Sequence, residues 1–141
     1  MHSSLLHKAT FFFKFESMID QNKNREPLDL SYLREMSGDS SDFMIEMLEA
    51  FQKQTPIYMA DLEKSIEAED WKATSENAHR IKPTFYYVGR EDAKEHMQII
   101  EHNARELINI ETIASDFAEA KKFVERLYEQ LEEAKSLLIN Q

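Results

Sequence analysis

The sequence predicts an all-α protein, an antiparallel up-and-down four-helix bundle with short accessory helices at its N-terminal end. Three observations carry that reading. First, 141 residues contain only two glycines and three prolines, whereas sheets and their turns usually draw on more of both. Second, apolar residues recur at alternating steps of three and four, the period of a helix face. Third, the segments between these stripes are short, and short connections make neighbouring helices antiparallel. The length suits one domain with a core of its own, needing no metal or disulfide.

Residues 1–27 read as an extension. "QNKNREP", residues 21–27, is polar and ends in proline, as linkers do. The apolar run Phe11 to Phe15 is broken by Lys14 and is too short to span a bilayer or to serve as a signal peptide. The bundle domain is expected over 28–141. "LDLSYLREMSGD" is a short helix closed by Gly38. "SSDFMIEMLEAFQKQ" follows, with Phe43, Met47, Ala50 and Phe51 on one side. Thr55 and Pro56 predict a helix boundary, as N-cap and first helical residue. The helix they open carries Ile57, Leu62 and Ile66.

Asp70 then caps a helix starting at Trp71, with a stripe of Trp71, Thr74, Ala78, Ile81, Phe85 and Val88. Gly89 turns the chain. The next stripe is Ala93, Met97, Ile100, Ala104 and Leu107, and "NIET", residues 109–112, is the following turn. The last helix repeats the pattern through Phe117, Ala120, Val124, Leu127, Leu131, Ala134 and Leu138.

Charge and composition narrow the function. The formal charge of −10 disfavours nucleic acid and anionic membrane surfaces, which demand a basic face. With no cysteine there is no disulfide framework, thiol chemistry or cysteine-rich zinc site, which fits a cytoplasmic protein. There is no glycine-rich phosphate loop and no kinase motif.

Five histidines are present. His2 and His7 fall in the extension. His96 and His102, six residues apart, are poorly spaced to share a metal and read as surface or boundary residues. His79 is different. Its helix buries Ala78, Ile81 and Phe85, so the face holding Lys72, Ser75, Glu76, Lys82, Pro83 and Tyr86 should be exposed around it. Residues 71–94 set Lys72, Arg80, Lys82, Arg90 and Lys94 against Glu76, Glu91 and Asp92, a local +2 that leaves −12 on the rest. A basic island on an acidic chain suits a negative group at the histidine. Neutral imidazole is a good nucleophile, and a neighbouring lysine can hold phosphoryl oxygens.

"AHRIKPTFYYVGREDAKEHMQIIE" resembles the signature of the histidine-containing phosphotransfer (HPt) domain. That pattern is Ala-His-x-hydrophobic-Lys, a glycine ten residues after the histidine, and a hydrophobic-Glu pair twenty-one and twenty-two after it. Ala78, His79, Ile81, Lys82, Gly89, Ile100 and Glu101 stand at those places. The family most often has glycine after the lysine; here it is Pro83. The resemblance implies a phosphorelay intermediate. It would take a phosphoryl group on His79 from the aspartyl phosphate of a receiver domain and pass it to another receiver's aspartate. Lys82 would bind phosphoryl oxygens. Lys72, Ser75, Glu76, Arg80, Pro83, Tyr86 and Gln98 would belong to the docking surface, and Gly89 to a structural turn.

Response-regulator receivers, including those of hybrid histidine kinases, would be the partners of a monomer. No cofactor is expected, since the receiver supplies Mg²⁺, and no independent catalytic machinery is expected either. The initial Met and the length suggest a free-standing protein. Lacking an N–H, Pro83 cannot bond the His79 carbonyl, so a kinked or loosened turn is expected there. Two rival readings exist. One is a helical adaptor that binds receivers without transfer. The other is half of a di-iron site at Glu76-x-x-His79, which would require a second such pair that the chain lacks.

Overall fold

A computed structural model describes residues 17–141; the Phe11–Phe15 run, His2 and His7 lie outside them. Among the described residues there are five α-helices, a single 3-10 turn at Lys23–Arg25, and no strand. The helices are α1 (Ser31–Met36), α2 (Ser41–Glu67), α3 (Trp71–Tyr87), α4 (Glu91–Glu106) and α5 (Ile110–Ile139). α2 packs on α3 and α5, and α4 on the same two, which closes a four-helix bundle with α1 laid against α2.

Local chemistry explains the helix ends. Ser40 caps α2 by accepting the Phe43 N–H, and Asp70 caps α3 by accepting that of Ala73. After α1 the N–H of Gly38 bonds the Glu35 carbonyl and that of Asp39 bonds the Arg34 carbonyl; after α3 the same pair runs from Gly89 to Tyr86 and from Arg90 to Phe85. Gly89 is fixed twice over. Its φ is +77°, and a Cβ there would lie 2.5 Å from the Asp29 carbonyl oxygen.

The stripes of α3 and α5 are buried as the periodicity predicts, from Ala78 to Val88 and from Phe117 to Leu138. Four expectations need correction. Thr55 and Pro56 start no helix, because α2 runs through them from Ser41 to Glu67. Pro56 lies on the exposed side, where water can meet the carbonyl it leaves unbonded. With α2 continuous, its buried stripe is Met44, Leu48, Phe51, Thr55, Met59 and Leu62, while Phe43 and Ile57 face solvent. Leu107 is exposed rather than core, since it ends α4 in the left-handed conformation with φ +56°. α5 starts at Ile110, inside the expected turn 109–112.

Residues 17–27 do not hang free. Arg90 is buried, its guanidinium stacked on Phe123 at 4.6 Å, and it bonds Asp92, Gln130 and the Asn24 side chain. Gln130 donates to the carbonyls of Lys23 and Glu26, Arg126 to that of Asn24, and the Asp20 N–H bonds Asp92. His96 is buried, not a surface residue. Its Nε2–H donates to the Asp116 carbonyl at 2.7 Å, and its Nδ1 accepts the Met18 N–H at 3.3 Å. A polar strip formed by Arg90 with side chains of α4 and α5 thus holds the chain that precedes the bundle.

Candidate functional site

Three rungs cross from α3 to α4 along one face: His79 to Glu101, Lys82 to Gln98, and Tyr86 to Lys94. The tight turn at Val88–Arg90 sets this register. The burial of Ala78, Ile81 and Phe85 turns His79 and Tyr86 outward, whereas Lys82, expected to be exposed, is mostly buried between them and α4.

His79 leaves 71% of its side chain exposed, and its Nδ1 lies 3.1 Å from Glu101 Oε2. Glu101 is buried on α4. Its Oε1 makes no well-angled hydrogen bond but pairs with the Lys82 ammonium at 2.5 Å, and Arg105 Nη1 reaches Oε2 at 3.2 Å from one turn on. Burial pushes the Glu101 carboxyl up, but the close ion pair with Lys82, with His79 beside it, outweighs burial and holds the group below the usual carboxylate range. Glu101 is therefore an ionised acceptor. An ionised acceptor at 3.1 Å assigns the proton to Nδ1, and Nε2 then carries a lone pair directed at solvent.

Lys82 is mostly buried along its stem and divides its donors between Glu101 and Gln98. Next to it, His79, Lys82, Pro83, Tyr86, Tyr87 and Lys94 line a shallow depression of about 240 Å³. Tyr32, on α1, stacks on Tyr87 at 5.3 Å and meets Tyr86 edge-on at the same distance, so the accessory helix braces one wall. Pro83 does not interrupt α3, which runs as α-helix from Trp71 to Tyr87.

The predicted docking residues divide. Pro83 and Tyr86 line the depression, Gln98 holds Lys82, and Lys72 and Glu76 are exposed nearer the start of α3. Ser75, expected at the surface, is buried. Arg80 turns towards α2, with its guanidinium 2.9 Å from Asp61 and over the Tyr58 ring at 4.5 Å. Residue types alone missed Arg105, Tyr32, Tyr87 and the roles of Glu101 and Lys94. Glu101 was visible as the glutamate of the motif, and an α3–α4 hairpin about Gly89 brings 101 opposite 79. Among the described residues, no three His, Asp or Glu side chains converge as metal ligands.

The fold is a four-helix bundle that presents the solvent-facing imidazole of His79, backed by the buried carboxylate of Glu101. The model of the Hpt domain family matches residues 46–137, more than half of the chain, and the chain belongs to that family. Hpt domains carry phosphoryl groups on histidine in two-component relays, where they interact with receiver domains. No curated protein and no solved structure matches the chain. No described helix is long and apolar enough to cross a membrane.

Proposed function

We propose that this chain is a relay intermediate that takes a phosphoryl group on His79 from one receiver aspartate and gives it to another. The observation supporting this is the outward Nε2 of His79, with Nδ1–H held by ionised Glu101. The Nε2 lone pair attacks the phosphorus of the acyl phosphate. An N–P bond forms, the acyl P–O bond breaks, and its electron pair leaves on the aspartate. The phosphorylated ring keeps its Nδ1 proton and becomes cationic, and Glu101 stabilises that charge. Transfer to the second receiver is the reverse. Lys82 can swing from Glu101 to the phosphoryl oxygens as a point charge. Mg²⁺ and the acidic pocket belong to the receiver. The proposed working form is a cytoplasmic monomer, since one exposed histidine meets one receiver.

The test is incubation with phosphorylated receiver domains and measurement of acid-labile label. Wild type should become labelled and pass the label on, His79→Gln should not, and Lys82→Ala should do so more slowly. Binding without any label on wild type would favour a non-transferring adaptor. Label on His79→Gln would refute the site.

A further inference from the structure

Four of the six cations between Trp71 and Glu106 are already matched: Arg80 by Asp61, Lys82 and Arg105 by Glu101, and Arg90 by Asp92. Among the described residues, Lys94 has no carboxylate within 4.0 Å. Its ammonium sits over the Tyr86 ring, 5.2 Å from the centroid, in the same depression as His79. A ring that is itself braced by Tyr32 holds the charge in place while leaving its donors unused. Lys94 is on the third rung from His79. Residues 79 and 86 are seven apart on α3, roughly 10 Å along the axis. That is too far for the ammonium to serve a phosphoryl group on Nε2 from where Tyr86 holds it.

Resting on the relay reading, we propose that Lys94, presented on Tyr86, is a docking contact for a carboxylate on the receiver surface. That carboxylate lies roughly 10 Å from the receiver's phosphorylated aspartate, the length of seven helical residues. Pro83, Tyr86 and Tyr87 form an apolar wall between the two points, so the partner fits when an apolar side chain separates them. The contact selects among receivers. A receiver with a basic or neutral residue at that point loses the pairing, and a basic one meets repulsion. Charge complementarity is the argument. Across the depression the one cation not already neutralised is Lys94, on a chain whose net charge of −10 otherwise repels an acidic partner.

The experiment measures binding and transfer separately, with a panel of purified receiver domains loaded with Mg²⁺ and beryllofluoride for binding, or phosphorylated for transfer. Lys94→Met keeps the apolar stem and removes the charge; Lys94→Arg restores the charge. Lys94→Met should raise Kd, and KM for transfer, about three- to tenfold at low salt, with kcat much less affected. The deficit should shrink as salt screens the pair, and Lys94→Arg should recover most of it. Equal Kd for wild type and Lys94→Met on every receiver that binds overturns the proposal, as does a panel in which no receiver binds wild type. Slower labelling of Lys94→Met by phosphoramidate, with no receiver present, would place the ammonium on the phosphoryl group and also overturn it. Binding that depends on Lys94 without any transfer would uphold the contact and sink the relay reading instead.

Discussion

Replacing Glu101 with glutamine tests the chemistry at its most exposed assumption. Glutamine keeps the size and one acceptor oxygen but removes the charge behind His79. The charges are separated by 3.1 Å once the ring is cationic. Coulomb's law with an effective dielectric of roughly 40 to 80, chosen because the ring is largely exposed, gives about 1.3–2.7 kcal/mol for that separation. At ~1.4 kcal/mol per decade, transfer should slow about ten- to a hundredfold. Stability should fall by a comparable amount, about 1–3 kcal/mol, because Lys82 loses its ionic partner but keeps Gln98. The assay is single-turnover phosphorylation of His79 by phosphoramidate and by a receiver. Urea denaturation and ring-nitrogen NMR shifts would report stability and tautomer. A folded Glu101→Gln protein that transfers at the wild-type rate, or a wild-type His79 ring that carries its proton on Nε2 before phosphorylation, would refute the reasoning.

Further outcomes follow from other residues. Thr55 is fully buried and its hydroxyl has no hydrogen-bond partner among the described residues, so Thr55→Val should stabilise the fold by about 1 kcal/mol in urea titrations. Pro83→Ala restores a helical N–H and removes the ring from the His79 carbonyl; net of the unfolded-state advantage of proline, it should add about 1–2 kcal/mol, and an unchanged midpoint would contradict this. Burial raises the Asp116 carboxyl above its usual range despite His96. A raised acid costs stability above its folded pKa and returns it as pH falls through that value, so Asp116→Asn should stabilise at neutral pH and lose its advantage near pH 3. Glu101 and Asp92 are lowered instead; their contribution is present above the ordinary carboxylate pKa and is lost on acidification, and Asp92→Asn should flatten that part of the pH–stability curve.

The bundle was legible because its core obeys one rule. Helical periodicity found most of the buried faces of α3 and α5, though it missed Ile113 and Phe123, and the cap at Asp70 is local chemistry. The rule failed at Pro56, where a strong local signal for a helix start lost to the burial of a continuous stripe on either side of it. His79 was legible because its own helix face is polar. The support behind it was not, because whether a carboxylate on α4 reaches an imidazole on α3 depends on the turn geometry at Gly89 and not on either helix alone. His96 and Arg90 escaped for a related reason. A polar side chain can be buried when distant backbone satisfies it, and that backbone, residues 18–26, carries no periodic pattern to reveal where it runs.

The strip that binds residues 17–27 bears on how this domain can be cut. The family pattern begins at residue 46, in the second turn of α2. A fragment started there would lose Ser40, Met44 and the whole of α1, and with α1 the tyrosine that braces the wall beside His79. A fragment started at Leu28 would look safer, yet it would strip Arg90 of Asn24 and Gln130 of two carbonyls at the turn that sets the α3–α4 register. Its histidine would be intact and its rungs misaligned. Weak transfer by such a truncated protein would then report a damaged hinge point of the hairpin, 11 residues in sequence from His79, and say little about the chemistry proposed there.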